Sequence, residues 1–224
     1  MVSVDAERSD HGLRAFISAA DWSNLVTSGV QRVFRPGDRL CRQDDSGDHV
    51  FVLLSGAVKV VRSEASGGQA VLTVRYAGDI IGDIAAIDGG RRSASVSALT
   101  VLACRLLHGP DFRRFLERRE VAAGFTRYAF SRLRESDSQR TELAVLPVLQ
   151  RVARALVRLH GAVATGPGRT TIDLPQHDLA ELIGASRNAV VLALGVLRAE
   201  RLIDTGRRCI TVMDVGGLRR RADG

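Results

Sequence analysis

The segment 81–96, IGDIAAIDGGRRSASV, combines side chains that bind phosphates and sugars. Arg92 offers a planar fork of N–H donors that suits phosphate oxygens, and Ser93 places a hydroxyl beside it. Asp83 can accept hydrogen bonds from a sugar hydroxyl. Taken singly, Arg92 would be a solvated surface arginine and Asp83 a turn residue. Their combination in one short segment favours a phosphate-binding cassette, and we call residues 81–96 the cassette.

The cassette also has backbone features that such binding needs. Gly82 permits a ligand to approach the backbone closely. The amides of a helical turn that includes Ile84 and Ala85 would face an anion. Gly89 and Gly90 let the segment fold back, so that both of its ends meet one ligand.

A second group of residues is suited to reading nucleic-acid bases. Ser186, Arg187 and Asn188 fall in the first turn of a predicted helix, and Ser186 would cap its start. In the major groove of DNA an arginine can make two parallel hydrogen bonds to guanine, and an asparagine can do the same to adenine. The pattern predicts a base-contacting helix.

Two short helices joined at Gly184 would position these residues. Gly184 ends the first helix, because a residue with positive φ is needed there. Residues 203–214, with a turn at Gly206-Arg207-Arg208, form a predicted wing hairpin. The two helices and the hairpin together predict a winged helix-turn-helix. The alternative is that the two helices are an ordinary helical hairpin in a core. The apolar residues at helical spacing are Leu179, Leu182 and Ile183 in the first helix, and Val190, Leu194 and Leu197 in the second.

Short β-rich runs separated by glycine turns occupy the chain from residue 30 to about residue 107. Several short strands at regular spacing predict an antiparallel barrel or jelly roll. Short helical segments are expected before them, at 13–17 and 21–28. The predicted strands are 30–34, 40–42, 50–54, 57–62, 70–75, 93–99 and 101–106.

Helices follow the barrel. Gly109-Pro110-Asp111 starts one, since proline favours the first turn, and a long helix is predicted over 119–146. Pro147 ends the long helix and provides a hinge. A further helix over 148–160 and a loop over 161–169 lead to the helix-turn-helix.

The long helix is expected to form a dimer interface. Its interrupted apolar seam consists of Val121, Phe125, Tyr128, Ala129, Leu133, Leu143 and Leu146. We therefore expect an α+β fold in three parts. They are a jelly-roll barrel domain over 1–118, a dimerisation helix over 119–146 and a winged helix-turn-helix domain over 147–224.

Composition favours a packed protein with an anionic partner. The 224 residues are 45% hydrophobic and carry a net charge of +7, with a pI near 10.5. Residues 140–224 contain 13 arginines against 8 acidic residues, so most of the positive excess lies near the predicted helix-turn-helix. Lys59 is the only lysine, a bias that a GC-rich genome would also produce.

Other classes of protein are not indicated. The three cysteines are far apart and lack zinc or iron–sulfur spacing, which favours a reduced cytoplasm. The amino terminus is acidic and polar, so we expect no signal peptide, and no apolar run approaches the ~20 residues of a membrane span. No nucleophile–base pair, metal spacing or nucleotide-hydrolysing loop occurs, so we expect no enzyme and neither a catalytic nor a metal site.

Three motifs resemble the CRP/FNR family of bacterial transcription regulators, in the family's order and over nearly the whole chain. The first is the barrel signature FRPGDRL…SGDHVFVLLSGAVKV. The second is the cassette, which is similar to the family's Gly-Glu-Leu-(Ala/Ser)…Arg-(Ser/Thr)-Ala. The third is LPQHDLA…GASRN, which is similar to Leu-Thr-Gln-(Gln/Glu)-(Asp/Glu)-Leu-Ala…Gly-x-Ser-Arg-Glu.

The resemblance implies a cytoplasmic homodimer that binds double-stranded DNA and RNA polymerase, with a cyclic nucleotide, cAMP or cGMP, as effector. It implies that the Gly-Glu pair contacts ribose, the Arg-Ser pair contacts the cyclic phosphate, and two long-helix residues reach the base from the two subunits. The implied ligand residues are Gly82, Asp83, Ile84, Ala85, Arg92, Ser93, Ser136 and Asp137. The implied DNA contacts are Gln176, His177, Ser186, Arg187, Asn188 and Val191.

This chain departs from the family pattern at four positions. Asp83 replaces the usual Glu and is one methylene shorter. Asp137 brings a carboxylate where a neutral polar group is common, and a base amino group of adenine or guanine could satisfy it, or Arg140 or solvent instead. Asn188 replaces the usual Glu, and Leu192 lies where a second base-contacting Arg is frequent.

Two functions therefore stay open. One is a DNA-binding regulator controlled by a cyclic nucleotide. The other is a regulator that is active without nucleotide, with a vestigial pocket or a different effector. They differ in whether Asp83, Arg92 and Ser93 converge on a polar pocket or close it by pairing together.

Overall fold

The computed structural model describes residues 12–163 and 168–224. The sequence predicts a loose start within residues 1–11 and part of a loop within 164–167, and both lie outside the described residues. The helices are a 3₁₀ helix Gly12–Phe16, α1 Ala19–Thr27, α2 Asp83–Asp88, α3 Gly109–Leu116, α4 Arg119–Val145, α5 Val148–Val163, α6 Gln176–Leu182, α7 Arg187–Ala199 and α8 Val215–Asp223. The strands are β1 Val30–Phe34, β2 Arg39–Cys41, β3 His49–Ser55, β4 Ala57–Ser63, β5 Gln69–Tyr76, β6 Ile80–Ile81, β7 Ser95–Ala98, β8 Leu102–His108, β9 Thr170–Ile172, β10 Ile203–Gly206 and β11 Cys209–Val212.

The first eight strands form the predicted jelly roll, which we call the barrel. One sheet has the order β1-β8-β3-β6 and the other β2-β7-β4-β5, with antiparallel pairing throughout. Alternating side chains of both sheets meet in an apolar core that contains Phe51, Leu53, Val58, Val96 and Leu102. The predicted fold class, α+β with an amino-terminal barrel, is confirmed. The two-residue strand β6, which carries the chain into the cassette, was not predicted.

Helices cover the other face of the first sheet. Leu13, Trp22, Phe112 and Tyr128 come from the 3₁₀ helix, α1, α3 and α4, and they form a second core with β3 residues. Local signals set the helix ends: the Ser18 hydroxyl accepts from the Asp21 amide at 3.1 Å, and proline lies in the first turn of α3.

The predicted seam on α4 is wrong at Val121 and Tyr128, which are buried within the chain and are not available to a partner chain. Tyr128 and the half-buried Phe125 pack in the second core beneath the barrel. The physical reason is that α4 is apolar on two faces, and the barrel takes one of them. Phe130 and Leu133 stay exposed on the other face.

The carboxyl-terminal unit, residues 148–163 and 168–224, contains the predicted winged helix-turn-helix. Gly184 has φ +58°, and Ser186 caps α7 by accepting from the Ala189 amide at 3.2 Å. The hairpin β10–β11 turns at Arg207 and Arg208, as predicted, and β9 joins it as a third strand. Neither β9 nor α8 was predicted. α8 packs along α5, and its first turn is capped by Asp214.

The carboxyl-terminal unit packs directly against the barrel. Ala57 and Val74, from β4 and β5, belong to the same apolar core as the buried residues of α5, α6 and α7. Lys59 on β4 reaches Asp178 on α6, with 2.6 Å between Nζ and Oδ1. Asp178 is only 2% exposed. Over residues 12–163 and 168–224 no single helix could cross a membrane; the bent pair α6 and α7 alone meets the requirements of length and composition.

Candidate functional site

The cassette residues converge on one small cavity. Gly82 has φ +85°, which turns the chain from β6 into α2. The cavity, of about 50 Å³, has room only for a few water molecules. The structure brings all six predicted barrel residues to its wall: Gly82, Asp83, Ile84, Ala85, Arg92 and Ser93.

Arg92 is held inside the barrel by backbone carbonyls. It is 3% exposed, and its Nη1 and Nη2 donate to the carbonyl oxygens of Gly82 and His49 at 3.0 and 2.7 Å. A Cβ at position 82 would overlap Nη1. In this structure the group that approaches the Gly82 backbone closely is therefore the Arg92 guanidinium, whereas the sequence predicted a ligand there.

The Nε–H donor of Arg92 is buried and has no hydrogen-bond partner in the described part of the chain. A buried, charged donor without an acceptor is costly, so a bound anion at this atom would be stabilised. A phosphate oxygen is an acceptor of the kind that this N–H group lacks.

Asp83 is paired with the long helix. It is 6% exposed, and its Oδ2 lies 2.9 Å from Nη1 of Arg132 on α4. Arg132 in turn lies over the ring of Tyr128, 5.4 Å from its centroid. Asp83, Arg92 and Ser93 thus do not close the pocket by pairing together. The sequence patterns did not indicate Arg132 as the partner of Asp83.

A buried polar network continues from Arg132. The Tyr128 hydroxyl donates to Asp79 Oδ1 at 2.8 Å. Burial raises the pKa of Asp79, although the nearby Arg75 opposes the shift. Burial, together with the charge of Asp79, raises the pKa of Tyr128 well above its ordinary value. Tyr128 therefore keeps its proton at neutral pH and stays a donor.

A larger cavity, of about 320 Å³, lies beside the first, between the barrel and α4. It falls within the size range of small-molecule sites. Asp83, Ile84, Ser93 and Arg132 line both cavities. The other polar residues at its wall are Thr73, Arg75, Glu135, Ser136 and Gln139. The sequence pointed to Ser136 alone among these five.

The two predicted base contacts are placed differently. Ser136 faces the larger cavity, whereas Asp137 is exposed on α4 outside it. The Asp137 carboxylate lies 3.7 Å from Nη1 of Arg140. Within one chain, therefore, the structure does not bring Asp137 to the cassette.

The predicted DNA contacts of α7 lie on the surface. Ser186, Arg187, Asn188 and Val191 are exposed. Within residues 12–163 and 168–224, the side chains of Arg187 and Asn188 form no hydrogen bond or ion pair. Both are free to bind a base edge.

The two predicted contacts of α6 lie nearer the barrel. Gln176, which begins α6, is half-buried, and His177 is exposed, with Nε2 3.3 Å from Asp178 Oδ1. The next residue, Asp178, is the one that pairs with Lys59 of the barrel. The start of α6 is therefore close to the contact between the barrel and the carboxyl-terminal unit.

Comparisons with known proteins match both halves of the chain. The cyclic nucleotide-binding domain model matches residues 31–119, and the Crp-like helix-turn-helix domain model matches residues 150–221. A CRP-like cAMP-activated global transcriptional regulator from Mycobacterium tuberculosis is 29% identical over 202 residues, which cover 88% of this chain and 90% of the relative. The cyclic AMP receptor protein of Thermus thermophilus is 29% identical over 210 residues, 93% of each chain.

Solved structures have the same fold. FixK2 from Bradyrhizobium japonicum superimposes with a TM-score of 0.75 at 18% identity, over 86% of this chain and 96% of that one. A CRP-family transcriptional regulator from Thermus thermophilus superimposes with a TM-score of 0.71 at 21% identity, over 86% of this chain and 97% of that one. At these identities the likeness concerns the fold alone.

Proposed function

Because the chain belongs to the CRP/FNR family of transcription regulators, we propose that a cyclic nucleotide bound between the cassette and α4 controls how it binds DNA. The observation that carries this proposal is the Asp83–Arg132 ion pair, which joins the cassette to α4 at the wall shared by the two cavities. A ligand that occupies Asp83 must act on α4 as well.

Each part of a cyclic nucleotide has a suitable group at this site. Arg92 would bind the phosphate through its free Nε, with the exposed Ser93 hydroxyl beside it. Asp83 would accept from the ribose hydroxyl. Ser136 would meet the base in the larger cavity. The names of the relatives favour cAMP, and cGMP has the same ribose and phosphate groups.

A second copy of the chain would complete the base site. Phe130 and Leu133 form the apolar face of α4 that one chain leaves exposed, and Asp137 follows one turn after Leu133. Pairing of two α4 helices along this face would bury both apolar residues and bring Asp137 near the other chain's cavity. Light scattering of the purified chain at DNA-binding concentrations should give twice the mass of one chain, and a monomer would contradict the dimer.

Release of the carboxyl-terminal unit would connect the two sites. The core shared with Ala57 and Val74, and the Lys59–Asp178 pair, hold that unit in one orientation against the barrel. A ligand changes DNA affinity only if it binds one arrangement more tightly than another. When the Asp83 carboxylate binds ribose, the ion pair between Asp83 and Arg132 is weakened or broken. Because this pair ties α4 to the cassette, α4 and the unit that follows Pro147 then become free to reorient.

On DNA, Arg187 would read guanine and Asn188 adenine, one α7 helix in each half of a two-fold symmetric site. The half-sites would lie about 34 Å apart. The excess of arginine in residues 140–224 would contact phosphates. We also propose RNA polymerase as the protein partner and the bacterial cytoplasm as the location, because transcription regulators of this family act there.

The test of the DNA site is Arg187→Ala. A gel-shift titration on a site selected by the wild type should show a loss of about 1–3 kcal/mol and relaxed base preference at one position. Arg198→Ala is the control, because Arg198 is also an exposed arginine of α7 but lies in its last turn. It should weaken selected and scrambled sites alike. Unchanged selectivity in Arg187→Ala would refute the assignment.

The test of the ligand site is calorimetry against cAMP, cGMP and cyclic dinucleotides, followed by gel shifts at one fixed salt concentration. One cyclic mononucleotide should bind and should change DNA affinity. If none binds while the protein still selects a DNA site, the chain is a regulator that acts without nucleotide or with another effector.

A further inference from the structure

The outer face of α7 carries apolar side chains that the protein does not cover. Leu192 is 72% exposed, the largest value among the exposed large hydrophobic side chains, and Val191 and Val196 are exposed on the same helix. The opposite face of α7 is already packed into the core through Val190, Ala193, Leu194 and Leu197. The helix is thus apolar on a face that none of the described residues covers.

Leu192 shares this face with the residue proposed to read adenine. Asn188 and Leu192 are four residues apart, so they lie one above the other on a helix. At 1.5 Å per residue they are about 6 Å apart along the axis, close to two base steps of ~3.4 Å. Side chains at this separation can contact base pairs that are one or two steps apart in one groove.

The surroundings of this face favour DNA over a protein partner. Arg187 and Arg198 flank it on α7, and Arg201 follows in the turn after the helix, and all three are exposed. Gly195 lies on the same face, one turn after Leu192, and a Cβ there would meet nothing within 4 Å. The missing side chain lets the helix backbone come close to a large ligand. When α7 lies in a major groove, the arginines beside the apolar strip would contact the phosphates, and the apolar side chains would contact the base edges.

The C5 methyl of thymine is the apolar group that base pairs present in the major groove. We propose that Leu192 is a specificity-determining residue that selects thymine through this methyl group, one or two base steps from the pair read by Asn188. The inference rests on the proposed function of α7 as the recognition helix. If Leu192 reads this methyl group, the DNA site of this protein has a thymine at the base position where an arginine at residue 192 would read guanine.

Replacement of thymine by uracil tests the contact directly. A DNA site is first selected with the full-length protein, and each thymine of a half-site is then replaced by uracil, which removes the methyl and keeps every hydrogen-bonding group. At one position the wild type should lose about fourfold in affinity, as expected from ~0.8 kcal/mol per buried methyl or methylene. Leu192→Ala should bind the thymine and uracil sites equally.

Two variants serve as controls. Val196→Ala removes an apolar side chain from the same helix and should keep the preference for thymine at that position. Leu192→Met keeps a long apolar side chain and should retain most of the preference for thymine over uracil. If the wild type binds its selected site but treats thymine and uracil alike everywhere, Leu192 does not read a methyl, while the DNA-binding function stands. If the wild type selects no site at all, the proposed function fails together with this inference.

Discussion

Arg92 in the cassette and Arg187 in α7 come from equally clear motifs, yet the structure treats them in opposite ways. Arg92 is buried, and two of its nitrogens are bonded to backbone carbonyls. Arg187 is exposed and free. Asp83 is likewise paired to Arg132, whereas Asn188 has no partner within the described residues.

The difference concerns how each site meets its ligand. The residues of α7 that we propose to contact DNA, Arg187 and Asn188, can bind without breaking a side-chain contact to any described residue. The cassette residues already hold the barrel together and tie it to α4, so a ligand there must share or replace internal partners. A site of that kind is suited to changing the structure, and a site like α7 is suited to recognition alone. Each of the following predictions tests one side of this contrast or the connection between the two sites.

The largest expected effect is that of an Arg92 substitution in the cassette on the free energy of unfolding. Arg92→Ala removes the two hydrogen bonds that the guanidinium donates to the carbonyl oxygens of Gly82 and His49, and the Gly82 oxygen keeps only the Ala86 amide at 3.2 Å. Loss of two buried hydrogen bonds from a charged group should cost about 3 kcal/mol in the free energy of unfolding. For a chain of this size that lowers the melting temperature by roughly 6–12 °C. Thermal unfolding without ligand measures it.

Arg91→Ala is the matched control. Arg91 is exposed and donates to the Asp44 carbonyl at 2.6 Å, so its removal should shift the melting temperature far less. Equal melting temperatures for the two variants would mean that Arg92 contributes no more to the fold than a surface arginine, and the contrast with Arg187 would disappear.

A smaller effect is expected at the contact between barrel and carboxyl-terminal unit. Lys59→Met leaves the buried Asp178 carboxylate with only the 3.3 Å contact to His177 Nε2 among its ion pairs in the described part of the chain. The docked arrangement should weaken by about 1–2 kcal/mol, a factor of roughly 5–30 in its population relative to the released one. Gel shifts should therefore show stronger DNA binding without ligand and a smaller response to nucleotide.

Arg62→Met controls for loss of one positive charge from the same strand, since among residues 12–163 and 168–224 Arg62 forms an ion pair only with the exposed Glu64. Its DNA affinity should equal that of the wild type. If Lys59→Met also leaves ligand-free DNA affinity unchanged, the docked arrangement does not restrain α7, and the two sites are not connected through this pair.

The smallest effect tests whether the outer face of α7 is open. Gly195→Ala should raise the free energy of unfolding by about 0.5–1 kcal/mol, because alanine is the better helix former and its Cβ would have no heavy atom of the described residues within 4 Å outside its own helix turn. Gly184→Ala is the opposite case: φ is +58° and the added Cβ would lie 2.9 Å from Leu143 Cδ2, so stability should fall. Denaturant unfolding of both variants would show whether the signs differ, and a loss of stability in Gly195→Ala would mean that this face is not free.

Local signals in the sequence were enough to predict the positions of most helices and strands. β1 and the start of α7 match the predicted positions, because alternation, a positive-φ glycine at 184 and a serine cap at 186 act between residues close in the chain. β9 and α8 were missed for the converse reason. β9 is a three-residue strand defined by its pairing with β11, and α8 has two glycines in its first turn, so neither has a strong pattern of its own.

The cassette shows the same limit within a site. Its residue types predicted binding of a phosphate and a sugar, and the structure places all six of the predicted barrel residues around one cavity. The partners of those residues were not readable. Arg132 lies 49 positions after Asp83, and whether Arg92 faces a ligand or a carbonyl depends on the path of β3 behind it.

By itself, then, the sequence determined the order of the parts, the barrel strands, the helix-turn-helix and the residue types at both sites, because these follow from periodicity and contacts within a few residues. The tertiary structure alone decided which face of α4 is free, how Asp83 and Arg92 are satisfied, and how the carboxyl-terminal unit is held. Lys59 and Asp178 are 119 positions apart, and neither residue carries any mark of the other in the sequence. Their pairing exists because an apolar surface of the barrel meets one of the carboxyl-terminal unit and buries a carboxylate that needs a cation.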